Sequence, residues 1–312
     1  MSIREKPARE NPVEERRRKL RSRIDLFPYV LILPALLVIS FVILYPVIEA
    51  IRISLFSITI AASTEGAKFV GLANYFRILS KAVFWDQLWV TFVYTFGTVI
   101  VSYLVGLLAA LLVEKPFWGR SAVRTVLLMP WILPHVVIAT VFILLYDVQF
   151  GVANYLLGLF GVDPLQWLSD PSWAMPAVIL ATSWSQYPIA FIMLLAGMLM
   201  IPEELYEAGE IDGANKLQLF WYVTLPSLRP VSTVIILLFT IWNFKRFDYI
   251  FVMTGGGPLR ATETLIVETY LRAFKYWEMG YAAALGTITL LISVIFTVIY
   301  LFIIRKGEFQ EG

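Results

Sequence analysis

The sequence predicts an all-α integral membrane protein with six transmembrane helices. Two compositional facts and one pattern point to it. Of the 312 residues, 59% are apolar and 15% are charged, against roughly 45–50% and 25% in a soluble domain. The mean hydropathy is +0.75. A soluble sphere cannot hide that much apolar surface, so lipid must solvate part of it. The apolar residues also gather into six runs of about 20 residues, the length that crosses a hydrocarbon core as a helix. Barrel strands would be runs of about 10 residues with alternating polarity, and these runs are longer and apolar all round.

Residues 1–26 form a polar tail with nine Lys/Arg, from Arg4 to Arg23. Such a cluster stays on the cytoplasmic side. The first span, 27–48, exceeds a signal-peptide core and is followed by no convincing small-residue cleavage site, so it reads as an uncleaved anchor. The other spans are 88–113, 126–146, 174–200, 231–253 and 281–304, and 305–312 is a second cytoplasmic tail. Span five is interrupted by Lys245, Arg246 and Asp248. Alternation then places sixteen basic residues inside and seven outside, which predicts both termini in the cytoplasm. Trp85, Trp89, Trp167, Trp173, Tyr276 and Trp277 fit an aromatic belt at the membrane interface.

The composition excludes an ordinary cytoplasmic enzyme and a nucleic-acid-binding module. With no cysteine there is no disulfide framework, zinc–thiolate site or iron–sulfur site. A single histidine, His135, argues against a His-rich metal site or a Ser-His-Asp triad. Gly255-Gly256-Gly257 lacks the Lys-Ser/Thr continuation of a phosphate loop. The expectation is therefore no catalytic residue, no metal and no resident cofactor.

Residues 201–230, the inner loop between spans four and five, have a pattern of their own. Pro202 suits a helix start, and Glu203 and Glu204 then sit at the favourable end of the helix dipole. Glu203, Glu207 and Glu210 make an acidic stripe. Asp212-Gly213 signals a turn, after which a second short helix offers Leu217, Phe220, Trp221 and Val223 as apolar contacts. An interfacial helix that merely joins two spans is the simpler interpretation. The acidic residues fit that poorly, being unfavourable beside anionic headgroups; a protein partner explains them better.

Glu207-Ala208-Gly209, Asp212-Gly213-Ala214, Phe220 and Leu225-Pro226 resemble the EAA loop of binding-protein-dependent ABC importer permeases, whose pattern is E-A-A-x-x-D-G-A followed by L-P. Gly209 departs from it, standing at the second Ala. Leu33-Pro34, Tyr45-Pro46, Phe69 to Tyr75, Gly151, Asn154, Trp167 to Pro171, Phe247-Asp248 and Thr254 to Pro258 resemble the carbohydrate-uptake branch, in particular the first, maltose-type permease. The resemblance implies a type I (MetI-like) permease fold in a prokaryotic cell membrane. It implies a second homologous permease, two cytoplasmic ATPase subunits that use the ATP, and an extracytoplasmic binding protein that delivers a sugar or a derivative such as glycerol phosphate. It also implies that Glu203, Glu207, Ala208, Gly209, Glu210, Asp212, Gly213 and Ala214 couple the pore to the ATPase.

Polar groups inside spans are expensive and mark pathways or helix–helix contacts. In span five, Trp242, Asn243 and Arg246 occupy neighbouring parts of one helix face. An aromatic ring beside an amide and a guanidinium suits a polyol. The competing account pairs Asp248 with Lys245 or snorkels the charges to the interface. In span four, Thr182, Ser185, Gln186 and Ile189 fall at helical spacing, with Pro188 a candidate kink. Carried over by position from the maltose-type permeases, these seven residues would line the sugar cavity. Arg246 would meet an anionic substrate, a hydroxyl or a neighbouring carboxylate. His135 reads as a helix-packing hydrogen-bonder. The alternative class is an ion-gradient-driven secondary transporter with His135 or Asp248 as its coupling site, which leaves the acidic inner loop without a task.

Overall fold

The computed structural model describes residues 27–58 and 67–308. The tail before residue 27 and residues 309–312 lie outside the described residues. The chain divides after Ala50 into two units. The first holds α1 (Phe27–Ile39) and a π turn at Ser40–Leu44, where α2 (Tyr45–Ser54) begins. The Tyr45 amide reaches five residues back to the Ser40 carbonyl. Pro46 follows directly; its missing N–H and its ring disturb the α ladder one turn earlier.

Among its described residues, the second unit has helices and one antiparallel hairpin with two residues in each strand, β1 (Phe56–Ser57) with β2 (Lys68–Phe69). The Asn74 side chain, from α3 (Ala73–Leu79), donates to the Ser54 and Phe56 carbonyls at 2.8 and 3.0 Å and pins the hairpin to it. Then come α4 (Ala82–Val113), α5 (Arg120–Ile132), α6 (His135–Leu145), α7 (Val152–Gly158) and α8 (Pro171–Leu199). α9 (Glu203–Ile211), α10 (Lys216–Leu219), a π turn at Phe220–Thr224 and α11 (Leu225–Ser227) form the inner loop. α12 (Arg229–Phe244), α13 (Asp248–Thr254), α14 (Leu265–Tyr270), a π turn at Leu271–Lys275 and α15 (Met279–Glu308) complete the chain.

Among the described residues, four helical runs are long and apolar enough to span a membrane, and up to six spans result if two bent pairs, α5 with α6 (99°) and Lys216–Ser227 with α12 (64°), are each counted as one. Two expectations are corrected. Span three is not one helix over 126–146: α5 and α6 meet at 99°. Pro134 has no N–H and holds Leu133 extended (ψ 141°). Span five is not continuous over 231–253: α12 stops at Phe244, and Lys245, Arg246 and Phe247 separate it from α13. Pro188, by contrast, stays inside one unbroken α8.

α4 and α8 are the spine. They run parallel, Gly97 meeting Ile179 and Gly106 meeting Ala190 and Phe191, as the second and fourth spans of an alternating chain must. A Cβ on Gly106 would lie 2.6 Å from the Ala190 Cβ and 2.9 Å from the Phe191 nitrogen, so only glycine permits this approach. Lipid is as apolar as a side chain, so close van der Waals contact of this kind holds membrane helices together. α12 runs against α4: Tyr103 bonds Ser232 at 2.7 Å, and Phe92 packs on Phe244 at 5.9 Å. Phe191, Leu194, Ile235 and Phe239 fill the space between the three helices.

The opposite end from the inner loop is tied by charge. Arg272 bridges Glu268 (2.7 Å) and Glu278 (2.8 Å), and Arg77 also reaches Glu278 (3.2 Å). Burial alone would raise the Glu278 carboxyl, but hydrogen bonds and charge from Arg272 and Arg77 outweigh it and hold the group below the ordinary carboxylate range. Glu263, which accepts from Gln87 at 2.6 Å, is pushed above that range by burial and then by the Glu268 charge. Trp167 is half-buried; it stacks on Tyr146 at 5.2 Å and donates to Asn154 at 2.9 Å.

Candidate functional site

The breaks in spans three and five come together. The start of α6, the stretch between α12 and α13, and the middle of α8 surround a cavity of about 560 Å³. Five of the seven residues expected there line it: Ser185, Gln186, Ile189, Trp242 and Arg246. Thr182 does not. It sits one turn earlier in α8, fully buried, donating to the Val178 carbonyl at 2.8 Å with Tyr94 Oη at 3.1 Å. Asn243 does not either. It is buried, and neither atom of its amide has a protein partner. The helix-face argument grouped it with Trp242, but adjacent helical positions point about 100° apart.

Trp131, His135, Lys245, Phe247 and Asp248 complete the lining. His135 Nδ1 lies 2.6 Å from Asp248 Oδ2 and 3.2 Å from Arg246 Nη1. One nitrogen cannot both donate to a carboxylate and accept from a guanidinium. The shorter contact decides: Nδ1–H donates to Asp248, and Arg246 is held by Asp248 at 3.8 Å and by the Tyr249 ring at 5.9 Å. Asp248 therefore pairs with His135 and Arg246, not with Lys245. Of the three fates open to Arg246, this structure shows the neighbouring carboxylate. Asp248 also opens α13, where the helix dipole favours an anion. Both sides of this pair come from proline- or charge-broken backbone, so no helical spacing announced it.

Several polar atoms at the cavity have no protein partner: both amide atoms of Gln186, Arg246 Nε and Asp248 Oδ1. Buried polar atoms are normally hydrogen-bonded. Together with the Trp131 and Trp242 rings, they offer an apolar platform edged by donors and acceptors.

At the other candidate site, Glu203, Glu207, Ala208, Glu210, Asp212 and Gly213 are exposed, while Gly209 and Ala214 are partly covered. Pro202 precedes α9, and Glu203 and Glu204 stand in its first turn. Gly213 has φ +82°, and the Ala214 amide returns to the Gly209 carbonyl at 2.9 Å. Asn215 and Gln218 make a capping box that starts α10. The buried contact of this second helix is Leu219, whereas Leu217 and Trp221 face outward. A Cβ on Gly209 would lie 2.5 Å from Leu219 Cδ2. The departure from the usual Ala thus coincides with the spot where the two short helices touch.

The family of binding-protein-dependent transport system inner membrane components matches residues 102–307. This chain belongs to that family. The permease is 37% identical to the trehalose/maltose transport system permease protein MalF of Thermococcus litoralis over 94% of its own length and 97% of the relative's. It is 34% identical to the sulfoquinovosyl glycerol transport system permease protein SmoG of Agrobacterium fabrum, over 91% and 92%. Its fold matches a bacterial ABC transporter involved in the import of the acidic polysaccharide alginate, with a TM-score of 0.76, 19% identity and coverage of 95% and 99%. The permease is accordingly a multi-pass membrane protein and a transport subunit of the MetI-like, all-helical kind.

Proposed function

We propose that this permease forms half of the transmembrane pathway of an ATP-binding cassette importer for a sugar or sugar derivative. A second homologous permease supplies the other half. An extracytoplasmic binding protein delivers the sugar, and two cytoplasmic ATPases consume the ATP, which needs no cofactor on this chain. Both termini lie in the cytoplasm. The observation that carries the reading is the cavity. The Trp242 ring can cover the apolar face of a pyranose, and Gln186 and Arg246 have polar atoms free to bond its hydroxyls. Relatives that move trehalose, maltose and sulfoquinovosyl glycerol support the same substrate class.

At the inner face, the exposed α9–α10 elbow is the part the ATPase would grip. Motion of that elbow would reach the cavity through α8 and α12, which flank it in sequence, and alternating access would follow around the cavity. Reconstitution in vesicles tests this. Uptake is expected to require the ATPase and the binding protein and to persist after ion gradients are collapsed. Gradient-driven uptake by this chain alone would overturn the proposal in favour of a secondary transporter.

A further inference from the structure

We propose that the cavity takes a sugar bearing a single anionic oxyacid group (carboxylate, sulfonate or phosphate) and that Lys245 is the residue that selects it. This rests on the cavity being the sugar pathway and narrows the substrate that pathway takes. The wall is unbalanced in charge. Lys245 and Arg246 both line it, against one carboxylate, Asp248. Asp248 is engaged through Oδ2 by His135 at 2.6 Å and Arg246 at 3.8 Å, and its Oδ1 has no protein partner. Among the described residues no carboxylate lies within ion-pair distance of Lys245, which is exposed to the cavity.

Two adjacent cations repel, and Lys245, exposed rather than buried, is free to meet an anion that enters the cavity. One uncompensated charge fits one anionic group. Around it, the buried Nε of Arg246 and Nε2 of Gln186 await acceptors, and Gln186 Oε1 awaits a donor. The volume of about 560 Å³ and the Trp131 and Trp242 rings exceed what a bare inorganic anion uses. They fit an acid group carried on a ring with an apolar face.

The test uses the complete importer in lipid nanodiscs and follows tryptophan fluorescence during titration with glucose, glucuronate and inorganic phosphate. Replacing both cavity rings, Trp131→Phe with Trp242→Phe, removes the reporters and should abolish the response. Glucuronate is expected to act at about tenfold lower concentration than glucose, the ratio expected of one charge-assisted contact. Lys245→Gln should erase that ratio and Lys245→Arg should keep it. Equal potency of glucose and glucuronate, or a preference that survives Lys245→Gln, would overturn the charge assignment while leaving a sugar pathway standing. Phosphate acting as strongly as glucuronate would reduce the site to a simple anion site and also overturn it. A complete importer in which no sugar changes the fluorescence would remove the sugar pathway itself.

Discussion

Gly213 isolates backbone geometry from packing. Its φ is +82°, in the left-handed region, yet a Cβ placed there meets nothing within 4 Å. Any effect of a substitution is therefore conformational and not steric. Alanine in that region costs roughly 1–2 kcal/mol, while asparagine tolerates it. Proline fixes φ near −65°, about 150° from what the turn requires, and removes the amide that bonds the Glu210 carbonyl at 3.0 Å. Forcing it in should exceed about 3 kcal/mol, enough to open the turn and part Leu219 from Gly209. The expected order of ATP-coupled uptake in proteoliposomes, at equal membrane insertion, is Gly213, then Gly213→Asn, Gly213→Ala and Gly213→Pro, with the last inactive. If Gly213→Pro transports at the parental rate, the elbow is not what links this permease to an ATPase. If Gly213→Asn fails as badly as Gly213→Pro, side-chain contacts with a partner, and not the backbone, set the requirement.

Two further expectations concern stability. Gly106→Ala should lower the thermal midpoint of the purified permease by the equivalent of about 1–3 kcal/mol of overpacking. Gly97→Ala should lower it less, because the neighbour there at 2.7 Å is the end of the Ile179 side chain, which can rotate away; equal losses would contradict the fixed α4–α8 contact. The pH pair runs in opposite directions. A raised carboxyl contributes stability that is full below its unfolded value, 4.5, and is lost as pH rises through the folded value. A depressed one contributes above 4.5, and loses it as pH falls through the folded value. Glu263→Gln should therefore stabilise the protein at pH near 7 and Glu278→Gln should destabilise it; the first converges on the parent as pH falls below 4.5, the second only at still lower pH, once the folded carboxyl itself is protonated. Thermal unfolding across that range decides, and shifts of the same sign at neutral pH would refute it.

The spans were legible in the sequence because lipid imposes a length and a polarity that composition reports directly. Ser185, Gln186 and Ile189, assigned to the cavity by position through the resemblance, share one helix face because a helix repeats, and Pro188 did not disturb it. Thr182 obeys the same spacing but lies beside Tyr94, which arrives from a helix 88 residues away in sequence; periodicity carries no such information. Lys245 and Arg246 looked like foreign charges within a helix, whereas they mark where the helix stops. His135 and Asp248, 113 residues apart, meet only because Pro134 turns one chain segment and the charged triplet ends another. The proline was a readable boundary signal. The partner across the gap was not.

The two discontinuities are bonded to each other. α6 and α13 are short rods of 11 and 7 residues, packed side by side and joined at their first residues by the His135–Asp248 contact. Each hangs from a longer helix by a few residues of non-helical chain. Both also pack on α8, with Ile138, Ala139, Tyr249 and Ile250 buried in one core with Tyr94 and Val178, so the two broken spans present a single block to the chamber they border.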